Sequence, residues 1–200
     1  MRYWLTKKVI KKLYVLLPII ITNFIWAECN EGEVELWGEC YSIETTTTLL
    51  SWDDDSVEEI PVEICELINL TELSIMFNEN LTGSIPECIG DLIALNSLII
   101  ISNQNLSGQI PESIGNLTSL TSLTISGNGN YTGISGTIPL SVGNLTDLIE
   151  LNLSYNQLTG EIPEFLSNLS NVEDLRLQSN LFTGEIPEFL GNMNNLKQLF

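Results

Sequence analysis

Apolar residues recur along the chain at spacings that fit neither a long helix nor a hairpin. In LIELNLSYNQLTGEIPEFLSNLSN, residues 148–171, they are Leu148, Leu151, Leu153, Leu158, Ile162, Leu166 and Leu169. The alternation through Leu151 and Leu153 predicts a short strand. Asn156 follows where that strand must turn inward, and its amide can satisfy backbone groups that the bend leaves unpaired in the core. Gly160 permits a backbone conformation closed to other residues, and Pro163, lacking an N–H, suits a place where pairing ends. The same unit begins at Thr46, Leu70, Leu95, Leu120, Leu148, Val172 and Leu196, in steps of 24, 25, 25, 28, 24 and 24 residues. One such unit buries too few side chains to offset the entropy of ordering it, so the units must stack and share a continuous core.

Written as L-x-x-L-x-L-x-x-N-x-L-x-G-x-I-P, the unit resembles the leucine-rich repeat, and its Leu-Thr-Gly-Glu-Ile-Pro half resembles the plant-type subclass. The Asn recurs at Asn78, Asn103, Asn128, Asn156 and Asn180. The Ile-Pro pair recurs at Ile85-Pro86, Ile110-Pro111, Ile138-Pro139, Ile162-Pro163 and Ile186-Pro187. The resemblance implies a right-handed β/α-type solenoid, with one curved parallel β-sheet on its concave face and short 3-10 or irregular segments on its convex face. It covers residues 46–200 as about six repeats. The first is degenerate, with Asp54 in place of the Asn and Glu58 in place of the Gly. The last is incomplete, and the chain is read as an amino-terminal fragment because it stops at Phe200, in mid-strand. The step of 28 places an insertion within residues 127–136, expected to bulge from the side of the coil with Tyr131 at its tip.

The first 27 residues do not belong to the array. Arg2, Lys7, Lys8, Lys11 and Lys12 precede an uncharged run from Leu13 to Ala27, which at 15 residues is shorter than the roughly 20 a bilayer span needs. That layout predicts a signal peptide cleaved after Ala27 and an exported protein, secreted or displayed at the cell surface. Removing it leaves 26 acidic residues against Arg176 and Lys197, a formal charge of −24, with 17 of the acids at or before Asp91. Nucleic acid is excluded as a partner, because phosphate binding needs clustered cations. No membrane span is expected in residues 28–200. The acidity serves either solubility, the simpler reading, or attraction to cationic partners or calcium.

Cys29, Cys40, Cys65 and Cys88 form an even set in an exported chain, so disulfides are expected. Three connectivities are possible, and sequential pairing is the expected one. Cys29 and Cys40 would enclose Val34, Leu36 and Trp37, which could cover the open end of the first coil. Cys65 and Cys88 stand at nearly equivalent places in adjacent coils. Trp37-Gly38-Glu39-Cys40 loosely resembles the amino-terminal cap of plant-type repeat proteins, here residues 28–45, although the rest of that cap's pattern is absent. The cysteine spacings are too long for zinc ligands and the chain has no histidine, so neither metal nor cofactor is expected.

The absence of histidine also removes Ser-His-Asp, Cys-His and His-metal chemistry, and no carboxylate pair stands out, so no enzyme is expected. The resemblance implies an interaction module that binds a protein, peptide or glycan on its concave face; a receptor ectodomain and an adhesive spacer are the alternatives. Positions 3, 5, 7 and 8 of each repeat are predicted to form that face. Its first three rows bring Leu50, Trp52, Met76, Phe77, Ile99 and Ile101 together as a candidate binding patch. Tyr155 and Arg176 extend a second, weaker one. Cleavage after Ala27 predicts that amino-terminal sequencing of the exported protein begins at Glu28; a sequence starting at Met1 would mean that the segment is retained as an anchor.

Overall fold

The computed structural model describes residues 29–54, 56–103, 105–127 and 133–200. The expected signal peptide, Asp55, and the insertion residues Asn128 and Tyr131 lie outside them.

Each repeat contributes one short strand to a parallel sheet. These strands are β3 (Thr48–Trp52), β4 (Glu72–Met76), β5 (Ser97–Ile101), β6 (Ser122–Ser126), β8 (Glu150–Asn152), β10 (Asp174–Arg176) and β12 (Gln198–Leu199), adjacent in space in that order. Before them come β1 (Glu33–Leu36) and β2 (Glu39–Ser42), an antiparallel hairpin; β7 (Ser135–Gly136), β9 (Gln157–Glu161) and β11 (Leu181–Thr183) pair separately. Register puts Leu49, Leu73, Leu98, Leu123, Leu151 and Leu175 side by side across the large sheet, all pointing into the core and fully buried. A column of identical aliphatic residues is what a stack of equivalent coils requires, since each side chain packs on its counterparts in the coils either side.

The convex side is built from 3-10 turns at Val62–Glu66, Glu87–Asp91, Glu112–Asn116, Leu140–Asn144, Glu164–Asn168 and Glu188–Asn192. A proline in extended geometry enters each: Pro61, Pro86, Pro111, Pro139, Pro163 and Pro187. Its missing N–H costs nothing at a position where a helical turn leaves the donor unpaired. Sequence reading did not anticipate the second parallel sheet, β7-β9-β11, made by the Gln-Leu-Thr-Gly-Glu segment and its equivalents. Hydroxyls extend its ladder: Ser135 Oγ donates to Gly108 O, Thr159 Oγ1 to Gly136 O and Thr183 Oγ1 to Gly160 O, at 3.0 to 3.3 Å.

The described asparagines of this position, Asn78, Asn103, Asn156 and Asn180, act as expected and also bind their coils to the ones before. Asn156 Nδ2 donates to Ile125 O in the preceding coil at 2.7 Å and to Leu153 O in its own at 3.1 Å, while its Oδ1 accepts from Ile134 N. Asn103 Nδ2 donates to Ile75 O, and Asn180 Nδ2 to Leu153 O. In the degenerate first repeat Asp54 does not take the same buried role. It is exposed and its carboxylate accepts from Ser56, while buried Ser51 donates to Asn78 Oδ1.

Disulfides join Cys29 to Cys40 and Cys65 to Cys88, with Cα separations of 5.6 and 5.9 Å. The first fastens the β1-β2 hairpin, whose two-residue turn, Trp37-Gly38, has both φ values positive, as a type I′ turn demands. Val34 and Leu36 are buried against the first coil, and Trp37 Nε1 donates to Glu59 O at 2.8 Å.

The convex turns pass so closely that glycine is required at two of them. A Cβ at Gly90 would meet the backbone oxygen of Ser113, and one at Gly115 that of Ser141, whereas at the equivalent Gly191 there is open space. Gly90→Ala and Gly115→Ala are each expected to cost about 1 to 3 kcal/mol, and Gly191→Ala to stay within about 0.5 kcal/mol. Urea unfolding of the three variants checks the gradient.

Candidate functional site

The concave face exists because strand residues alternate between core and solvent, so positions 3, 5 and 7 point away from the leucine column. In register, Leu50 stands beside Ser74 and then Ile99; Trp52 stands beside Met76 and then Ile101. All six apolar residues of the first patch therefore lie on one surface. They are unequally open to solvent. Leu50 and Trp52 are each 64% exposed and Phe77 40%, whereas Met76, Ile99 and Ile101 are half-buried. The gradient follows from the fold: β3 is the edge strand of its sheet, so its side chains have a neighbour on one side alone.

Not every expected face residue is accessible. Ser74, Thr124, Asn152 and Ser154 are buried. Strands lie about 4.8 Å apart, and small side chains sink between larger ones, as Ser74 does between Leu50 and Ile99. Ser154 is further engaged, its Oγ bonding to Asn152 Oδ1 and standing 3.2 Å from Ser126 Oγ.

Position 8 holds a feature that residue types did not signal. Asp53, Phe77, Ser102, Tyr155 and Ser179 all have φ between 48° and 59°. This left-handed conformation costs side chains with a Cβ roughly 1 to 2 kcal/mol, and Phe and Tyr are unusual in it. A backbone bond to the next coil holds each of the first four: Asp53 N to Met76 O, Phe77 N to Ile101 O, Ser102 N to Ser126 O and Tyr155 N to Gln178 O. The fixed ledge brings the Phe77 ring to 4.9 Å from the Trp52 ring, tilted by 45°, a stable aromatic geometry. Trp52 and Phe77 thereby form one exposed aromatic unit.

Tyr155 and Arg176 lie farther along, beyond the small polar residues Ser122, Thr124 and Ser126, and do not join the first patch. Tyr155 is 42% exposed. Arg176 grips Asp174 through Nη2 at 2.6 Å and Nε at 3.1 Å, with its guanidinium 5.7 Å from the Phe200 ring centre. Its pKa is raised, chiefly by the Asp174 hydrogen bond, so it is a fixed cation already paired. Among the described residues no cluster of Cys, Asp and Glu has the makings of a metal site. A gap lined by Ile100, Asn103, Ile125 and Asn156 has a volume of about 10 Å³, room for a single water. What the arrangement offers is a contact surface.

The family model described as Leucine Rich Repeat matches residues 147–169 and 171–193. No curated protein matches the chain. Among solved structures, the Arabidopsis receptor kinase HAESA, in complex with the peptide hormone IDA and the co-receptor SERK1, is 39% identical with a TM-score of 0.64. The match covers 69% of this chain and 22% of that one. A plant ice-binding protein is 44% identical, TM-score 0.58, over 62% of this chain and 38% of its own. The ectodomain of the receptor kinase SOBIR1 from Arabidopsis thaliana is 37% identical, TM-score 0.56, over 64% of this chain and 67% of its own. The chain thus spans less than half of the HAESA and ice-binding chains.

Trp37 and Trp52 are the tryptophans that follow residue 27, and their environments differ. In a Trp37→Phe variant the remaining Trp52 emission is expected to be red-shifted and quenched by acrylamide several-fold more strongly than the Trp37 emission of a Trp52→Phe variant. Equal quenching would mean that the patch is covered.

Proposed function

Since the chain belongs to the leucine-rich repeat family, in its plant-type subclass, we infer that it is a non-enzymatic extracellular interaction module holding a protein or peptide partner on its concave face. The observation that carries this reading is the exposed Trp52–Phe77 pair beside Leu50. Large aromatic groups left open on a rigid sheet are costly in water and are the residue types that dominate binding energy when a partner covers them. Support comes also from HAESA, whose complex holds a peptide hormone and a co-receptor. Two disulfides suit an oxidising, extracellular setting. The half-buried Met76, Ile99 and Ile101 supply the continuing apolar floor, and Tyr155 with Arg176 a secondary contact.

Within this reading the chain is a receptor's outer portion, favoured by the likeness to the SOBIR1 ectodomain. A spacer that binds nothing is the second reading. The small polar rows around Ser122 and Ser126 favour it, because they offer no anchor for a partner. The double variant Trp52→Ser/Phe77→Ser separates the two. Both side chains are substantially exposed, so the urea midpoint should move little, while capture of a partner from the native extracellular fluid falls at least tenfold. Unchanged capture by a folded double variant would leave the patch without a binding role.

A further inference from the structure

Among the described residues of the first two concave rows, the charged side chains are carboxylates, one beside the aromatic unit and one about 13 Å along β4, at the Leu50 end of the patch. Asp53 follows Trp52 directly on the left-handed ledge, and exposed Glu72 begins the strand that ends at Met76. No lysine or arginine occurs anywhere between Leu13 and Leu175. The two cations beyond are occupied, Arg176 with Asp174 and Lys197 with Glu173. A partner seated on Trp52 and Phe77 must strip water from Asp53, and one that continues along the face over Leu50 must strip it from Glu72 as well. A neutral or acidic partner leaves those carboxylates dehydrated and unpaired, a penalty that works against binding. A lysine or arginine side chain removes the penalty, and the exposed Trp52 face adds a cation–π contact.

On this basis we propose that the partner segment is a cationic peptide, carrying lysine or arginine next to a bulky apolar residue, with the apolar group on Trp52–Phe77, the adjacent cation against Asp53 and a second cation farther along, against Glu72 at the Leu50 end of the patch. This rests on the concave-face reading and adds the partner's chemistry to it. Solubility alone calls for acids anywhere on the surface, whereas this arrangement needs them at two particular places beside the patch.

The test uses the exported chain as bait for a random peptide library displayed on phage, with Trp52→Ser/Phe77→Ser as the counter-bait. Peptides retained by the chain and lost on the counter-bait should be enriched in Lys or Arg adjacent to an aromatic or aliphatic residue. For a synthetic copy of one of them, Asp53→Asn and Glu72→Gln should each weaken binding about two- to fivefold. A tenfold rise in salt should weaken it further. Glu63→Gln and Glu87→Gln, on the convex turns, should change nothing. Patch-dependent peptides that are neutral or acidic overturn the cationic assignment and leave the concave-face reading standing. Cationic peptides that bind the counter-bait equally, or that lose as much to the convex changes, show only diffuse attraction to an acidic protein and overturn it as well. A library that yields no patch-dependent peptide sinks both.

Discussion

Asn156 reaches back one coil to the carbonyl of Ile125, Asn103 does the same to Ile75, and Asn180 to Leu153. The chain must turn inward after every strand, and that turn carries peptide groups into a region lined with leucine, where water cannot satisfy them. A side-chain amide, with donors and an acceptor on one planar group, is the side chain best suited to fill the place, and it works only if the preceding coil is there to receive it. Most of the rest of the architecture follows. The leucine column requires coils in register, the register brings strands to ladder distance, and the close convex passage leaves no room for a Cβ at Gly90 or Gly115.

The concave face is shaped by the same stacking. Strand spacing, more than residue type, sets how much of a side chain shows: Ser74 disappears between Leu50 and Ile99, while Leu50 and Trp52 stand open on an edge strand. The ladder also clamps Phe77 and Tyr155 into a backbone conformation that neither favours alone. Strain of that kind persists because each N–H is bonded to the next coil, and at Phe77 it lifts a ring toward Trp52. The apolar part of the concave face is therefore most exposed at the hairpin end. It also lies in the half of the molecule richest in acids, which gives the apolar patch an electrostatic frame of one sign.

How much could be read beforehand varied with how local each determinant is. The repeat length, the Asn, Gly and Ile-Pro positions and the inward leucines each have one residue type suited to them, and repetition made the pattern visible. The identity of the face residues followed from alternation. Burial at Ser74, Thr124, Asn152 and Ser154 did not, because it depends on neighbours 24 to 28 residues away and on their size. The second sheet is not legible in the residues for a similar reason. Gln-Leu-Thr-Gly-Glu carries no strong strand signal, and it pairs only because the equivalent segment of the next coil arrives alongside.

By itself, then, the sequence determined the solenoid, its register, the even set of cysteines, the excess of acid and the absence of histidine chemistry, since each depends on residue type at a recurring position. Tertiary structure decided which concave residues reach solvent, the left-handed ledge that pairs Phe77 with Trp52, and the pairing of β7, β9 and β11 into a second sheet. Those are properties of distance between residues far apart in the chain. Only the stacked coils fix such distances, because an isolated repeat has no neighbour to set them.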